Sequence, residues 1–357
     1  MKALRVEELT VRYGTTVALE NVTLDVEEGE ILAVLGPSGS GKTTLLGAIA
    51  GFIDVTAGRI WIADRLVAAA GHSMPIERRG VGVVFQNYGL WPHLDALDTV
   101  AYPLRRQGFS RHEARARARE LLSRVGLAGL EGRRPALLSG GQQQRVGLAR
   151  ALACKPRIFL FDEPTANLDS GLRAGLQTQI REQQQQTGAA AVYVTHDPLE
   201  AFAVADRIAA IRDARLVQVA TPREIYARPA DEWIARLTGP CAILSAQVID
   251  ESTIRIGDAE LSGVSLHGFD RDPGEVRLVV RPEWIRIADD GELPLRATVQ
   301  SVTFAGAETV CLLTTATGPV TARLAGEVDL HPGDAVSWTI VGASVLAASI
   351  RPVVTSS

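Results

Sequence analysis

The apolar run Glu30–Leu35, EILAVL, passes directly into Gly36-Pro37-Ser38-Gly39-Ser40-Gly41-Lys42-Thr43 and then into Thr44 and LLGAIAG. No other feature limits the fold so narrowly. The segment fits G-x-x-x-x-G-K-[ST] and sits between a run suited to a buried strand and one suited to a helix. Glycines let successive backbone N–H groups turn inward, and the helix N-terminus adds a positive dipole end, so the loop is a phosphate cradle. Lys42 can reach β and γ phosphates, and the Thr43 hydroxyl is suited to ligating Mg²⁺.

A loop of this kind needs a parallel sheet around it, and the chain supplies the strands. A second apolar run, Arg157 to Phe161, ends in Asp162 and Glu163; a third, Ala189 to Thr195, ends in His196. Each is followed by a helix-like stretch, which predicts α/β architecture with a largely parallel sheet to about residue 235. Residues 3–9 and 17–26 alternate apolar and polar positions, as antiparallel strands do. Asp162 can hold Mg²⁺ through a water, and Glu163 can orient the water that attacks a γ phosphate.

Between the first two runs, SRHEARARARELLSRV predicts a helix from Ser110 to Val125, with Ser110 and Glu113 spaced as a capping box. Its arginines read as a solvated face, because no aromatic residues are interleaved for base stacking. Beyond Thr238-Gly239-Pro240 the pattern changes to short runs such as AILSAQVI, VRLVVR and LRATVQSVTF, separated by DPG, ATGP and HPGD. That spacing predicts a small all-β barrel. Residues 241–357 carry 8 arginines, no lysine and 15 acidic residues, which opposes an oligonucleotide ligand.

The whole chain has 357 residues and a net charge of −4, enough length for two domains and no basic field for nucleic acid. Its three cysteines, Cys154, Cys241 and Cys311, form no paired motif and are expected to be reduced thiols. The N-terminus, MKALRVEELTVRYG, is too charged for a signal peptide, and no window offers 18 apolar residues.

One more element completes the set. LSGGQQQR, Leu138 to Arg145, lies between the phosphate loop and IFLFDEPTANLD, which is followed by Thr195-His196. In that order these motifs resemble the ATP-binding-cassette ATPases, whose signature is LSGGQ. The resemblance implies a phosphate-loop domain over 1–238, with a parallel-sheet core, an antiparallel β subdomain and an inserted helical subdomain at about 87–155. An OB- or TOBE-like regulatory barrel is expected over 239–357. It further implies that Ser139, Gly140, Gly141 and Gln142 bind the γ phosphate of ATP held by another subunit. Tyr13 would stack on adenine, Gln86 would sense γ phosphate and Mg²⁺, His196 would contact the γ phosphate, and Asp169 would lie at a dimer interface.

With one phosphate loop and one signature per chain, the implied unit is a homodimer or a heterodimer with a similar ATPase. The C-terminal segment and VRPEWIRI resemble bacterial importer ATPases, closest to the ferric-iron and polyamine types, with sulfate, molybdate, phosphonate and sugar systems behind them. Their partners are two transmembrane permease subunits, docked here through Gln86–Pro92, and indirectly an extracytoplasmic solute-binding protein. The location implied is the cytoplasmic face of the inner membrane. Tyr88, Leu90, Trp91 and Pro92 are expected to be exposed as part of that docking surface. Gly89 and Trp91 stand where the family usually has alanine and phenylalanine. A soluble non-transport ATPase or an ATP-binding regulator is the alternative; the coiled coil or tandem cassette of the first is absent, and Glu163 and His196 argue against the second.

Overall fold

The computed structural model describes residues 1–166, 170–268 and 274–346. The chain divides into two compact units, Met1–Pro222 and Arg223–Ser357.

In the first unit, β1 (Lys2–Tyr13) and β2 (Thr16–Glu27) form an antiparallel hairpin whose burial alternates as the sequence does. β3 (Ile31–Leu35) is buried at every position and leads through the glycine loop into α1 (Lys42–Ala50). β4 (Ala57–Ile62), β5 (Arg65–Ala69) and β6 (His72–Ser73) complete an antiparallel sheet in the order β2-β1-β4-β5-β6.

Next along the chain come β7 (Val81–Val84), α2 (Ala96–Arg106), α3 (Arg111–Arg124) and α4 (Gly140–Ala153). They are followed by β8 (Ile158–Asp162), α5 (Ser170–Thr187), β9 (Ala190–Thr195), α6 (Pro198–Val204), β10 (Arg207–Arg212) and β11 (Arg215–Ala220). The second sheet runs β11-β10-β3-β9-β8-β7, parallel throughout except for β10 with β11. This order matters for chemistry. Because β3, β9 and β8 are neighbours and parallel, the loops leaving their C-terminal ends gather on one edge, where α/β sheets bind ligands.

Successive side chains of β8 point to opposite faces, so Leu160 enters one core and Phe159 and Phe161 another. The first core lies against the antiparallel sheet and α1, with Leu4, Leu24, Ile49 and Ile60. The second lies against the helices, with Leu97, Leu122, Leu148 and Tyr193. α3 has the expected capping box, the Ser110 hydroxyl accepting from Glu113 N–H at 3.3 Å and the Glu113 carboxylate from Ser110 N–H at 3.0 Å.

The second unit opens with α7 (Pro222–Ala227), which starts at the division, and α8 (Glu232–Thr238). Its strands are β12 (Ala242–Val248), β13 (Ile254–Ile256), β14 (Ala259–Leu261), β15 (Ser265–His267), β16 (Gly274–Val280), β17 (Ile285–Asp289), β18 (Leu295–Phe304), β19 (Glu308–Thr315), β20 (Gly318–Ala325), β21 (Ala335–Ile340) and β22 (Gly342–Leu346). They form two sheets, β14-β13-β12-β16-β22-β15 and β17-β21-β18-β19-β20, around one core containing Leu244, Leu278, Val299, Leu313 and Trp338. This is the expected barrel-like all-β architecture.

The division falls sixteen residues ahead of the 238/239 boundary expected from composition. The reason is a buried arginine. Arg281 donates to the carbonyls of Tyr226, Ala235 and Gly239 and to the Thr238 hydroxyl, tying α7 and α8 to the barrel. Among the described residues no helix is long and apolar enough to cross a membrane. All three cysteines are free, and burial pushes each thiol pKa up.

Candidate functional site: a phosphate loop facing two acids and a histidine

The glycine loop is shaped by its packing. At Gly36 a Cβ would stand 2.3 Å from the carbonyl oxygen of Ile211, and at Gly41, with φ of 107°, it would stand 2.5 Å from that of Ala18. Both positions therefore exclude a side chain. Gly41 is the N-cap of α1 and contributes no side-chain cap, which leaves the first-turn N–H groups at Lys42, Thr43 and Thr44 for an anion. Ser40 is buried with its hydroxyl unpartnered, a second group awaiting an acceptor.

Lys42 is buried and donates to the carbonyls of Gly36 and Pro37, both at 2.8 Å. Burial lowers its pKa, and the charges of Glu163 and Asp162 oppose that shift. The Thr43 hydroxyl donates to Asp162 Oδ1 at 3.2 Å across 119 residues of sequence. Burial raises the Asp162 carboxyl, against the Thr43 hydrogen bond. An ionised carboxylate at this partly buried position is satisfied by a cation or by ordered donors beside it.

Glu163 follows β8 in a left-handed backbone conformation, φ 43°, with its N–H donating to Val194 O at 3.0 Å. A non-glycine residue held there marks a backbone position set by its surroundings. Its carboxylate lies 3.2 Å from His196 Nδ1 on one oxygen and accepts from Gln86 Nε2 at 3.5 Å on the other. The loops after β3, β7, β8 and β9 thus bring Lys42, Thr43, Gln86, Asp162, Glu163 and His196 together. Tyr13 is half exposed at the end of β1, beside the turn into β2, the strand whose Ala18 and Leu19 abut Gly41.

Mg²⁺ fits this donor set. It binds through one or two protein oxygens plus phosphate and water, and a hydroxyl and carboxylate 3.2 Å apart at a helix N-terminus are hard oxygen donors of that number.

The signature residues form a separate feature. Ser139 caps α4, its hydroxyl accepting from Gln142 N–H at 3.3 Å while Gln142 Oε1 accepts from Ser139 N–H at 2.9 Å. This capping box leaves the Ser139 O–H and the N–H groups of Gly140 and Gly141 as donors. Among the described residues no hydrogen bond or ion pair joins Ser139, Gly140, Gly141 or Gln142 to the phosphate loop. Asp169 lies outside the described residues.

One surface differs from expectation. Tyr88, Leu90 and Trp91 are half-buried and only Pro92 is exposed. Trp91 packs on Tyr102 with ring centroids 4.9 Å apart, and the Arg150 guanidinium lies over the Trp91 ring, 5.6 Å from its centroid. Gly89 has φ of 55° and its Cβ would lie 2.9 Å from Phe85, which accounts for glycine there. The apolar exposure instead falls on Phe52 and Tyr102.

Two family models match the chain, an ABC transporter model over residues 19–166 and a TOBE domain model over 278–346. The spermidine/putrescine import ATP-binding protein PotA of Rubrobacter xylanophilus is 40% identical over 348 residues, covering 94% of this chain and 90% of that protein. The chain belongs to the ABC transporter family. It is an ABC ATPase subunit. The Fe(3+) ions import ATP-binding protein FbpC 1 of Rhizobium meliloti is 45% identical over 280 residues, 77% of each chain. Among solved structures, the ATP-binding cassette MJ0796, dimeric in a post-hydrolysis state with ADP and Pi, is 33% identical with a TM-score of 0.55. It covers 62% of this chain and 99% of its own.

Sequence reasoning on the ABC motifs missed Glu200, Thr165 and Tyr193, a buried polar group behind the site, and the half-buried Arg173 beside it. The available signal was the order His196-Asp197-Pro198-Leu199-Glu200, where Asp197 caps α6 and Pro198 begins it.

Proposed function

We propose that this ABC ATPase energises a bacterial importer for ferric iron or a polyamine, working as a dimer on the cytoplasmic face of the inner membrane. The observation that carries the reading is the Glu163–His196 pair set opposite Lys42 and Thr43. ATP enters with its β and γ phosphates on the first turn of α1 and Lys42, and its adenine against Tyr13. The residues that would hold Mg²⁺ are Thr43, Asp162 and Gln86, and the ion when bound neutralises charge on the phosphate oxygens. Glu163 accepts a proton from water as the water oxygen bonds to the γ phosphorus. The bond from that phosphorus to the bridging oxygen breaks, its electron pair leaves with ADP, and His196 donates to a γ-phosphate oxygen.

Each site takes Ser139, Gly140, Gly141 and Gln142 from a partner chain, because a single chain leaves those donors away from its own phosphate loop. Asp169 belongs to the same dimer interface. Two permease subunits dock against the Gln86–Pro92 segment with Phe52 and Tyr102 at its edge, where apolar groups are exposed. The names of the relatives, one polyamine and one iron importer, support the solute class. The test is ATPase activity against protein concentration, together with Glu163→Gln and ATP in size-exclusion chromatography. Turnover per chain that rises with concentration and an ATP-trapped dimer of the variant are expected. Constant turnover from a monomer, or a variant that hydrolyses ATP normally, refutes the reading.

A further inference from the structure

We propose that Glu200 is a positioning residue for hydrolysis, setting the geometry of Glu163 and His196 without touching ATP. It sits on α6 with its side chain only 6% exposed. One carboxylate oxygen accepts from the Thr165 hydroxyl and lies 3.6 Å from Arg173 Nε; the other accepts from the Thr195 hydroxyl at 2.8 Å and the Tyr193 hydroxyl at 3.4 Å. One side chain thereby gathers groups from the ends of β8 and β9 and from α5.

The consequence for the site follows residue by residue. Thr195 precedes His196, and its hydroxyl, while donating to Glu200, accepts from Asp197 N–H at 3.0 Å on the far side of His196. Asp197 Oδ2 in turn accepts from Arg173 Nη1 at 3.2 Å. Both neighbours of His196 are therefore fixed through Glu200 and Arg173. Thr165 lies two residues beyond Glu163, whose own N–H is held by Val194 O. The left-handed turn at Glu163 is thus held by its own N–H on Val194 O and, two residues on, by Thr165 on Glu200. Burial and the nearby Glu200 charge push the Tyr193 hydroxyl pKa up, so it remains a proton donor to the carboxylate.

Burying a carboxylate is unfavourable unless its oxygens are satisfied, and an apolar residue would serve if α6 only had to pack. Here four groups from three segments converge on it, two of them next to or near the residues placed at the γ phosphate. A reacting pair displaced by an ångström loses rate rather than ATP affinity.

The inference rests on the roles given to Glu163 and His196, so Glu163→Gln and His196→Ala accompany the test. In the full-length chain, Glu200→Gln is expected to lower kcat by about tenfold or more while KM for ATP stays within about twofold. Combined with His196→Ala it adds little further loss, because both changes act on one unit. If Glu200→Gln folds poorly, Thr195→Val breaks the same link and Thr195→Ser restores it. Normal kcat in Glu200→Gln or in a folded Thr195→Val, or losses that multiply with His196→Ala, overturns the proposal alone. Normal turnover in Glu163→Gln and His196→Ala overturns the underlying site together with it.

Discussion

Arg281 offers a quantitative test of how the second unit is held together. Its side chain is fully buried, and among the described residues no ion pair joins it to a carboxylate. Nη1 donates to Ala235 O at 2.8 Å and Gly239 O at 3.1 Å; Nη2 donates to Tyr226 O at 3.0 Å and Thr238 Oγ1 at 2.9 Å. The guanidinium also lies 4.0 Å from the centre of the Tyr226 ring. Three of the acceptors cluster at the C-terminal end of α8, where the helix dipole favours a cation. Burial lowers the pKa of the guanidinium without deprotonating it.

Arg281→Met keeps the apolar stem and removes every donor. Four charge-assisted hydrogen bonds at about 1.5–3 kcal/mol each set the gross loss, and relief from burying a cation returns part of it. Ala235 O keeps the Thr238 hydroxyl at 3.1 Å, but Tyr226 O and Gly239 O lose the guanidinium, and at about 1–3 kcal/mol for each neutral acceptor short of a donor the net cost is about 3–5 kcal/mol. At about 2–8 °C per kcal/mol, the midpoint of the second unit should fall by roughly ten degrees or more. Differential scanning calorimetry reads this, with Arg281→Lys expected between the two because an ammonium reaches fewer of the acceptors. A midpoint for Arg281→Met within about 2 °C of the parent would refute the argument, since the carbonyls would then be satisfied without the guanidinium.

Gly41→Ala should weaken ATP binding by about tenfold or more in a fluorescent-nucleotide titration, because the new Cβ strikes the backbone at Ala18. Gly132→Ala, in open space at an ordinary φ, should bind ATP as the parent does. Ser110→Ala should cost about 0.5–2 kcal/mol in chemical denaturation through loss of the α3 cap. The Ser110 hydroxyl and N–H hold the Glu113 carboxyl below the ordinary glutamate range. A depressed folded pKa contributes stability above the unfolded value and loses it as pH falls through the folded one, so the gap between parent and Ser110→Ala should narrow in acid.

Much of the site was legible because it is written in local runs. Each of β3, β8 and β9 is a short apolar run that ends in its chemistry, Gly36, Asp162 and His196, and burial of every apolar position is what a central parallel strand requires. The capping box at Ser110 likewise depends only on residues three apart. The docking segment was harder. A tryptophan beside a proline reads as exposed, yet Tyr102 on α2 and Arg150 on α4 pack against Trp91.

By itself the sequence determined the strand–loop–helix cradle, the order of the nucleotide motifs and the change to β structure after them. Those are set by the spacing of neighbours, since propensity and periodicity act over a few residues. Tertiary structure alone decided that Thr43 meets Asp162, that Glu163 takes a left-handed turn toward His196, and that Glu200 stands behind both. It also decided that α7 and α8 belong with the barrel. Each of those depends on a polar group finding partners elsewhere in the fold, and such a donor or acceptor has no local signature until the fold shows what lies across from it.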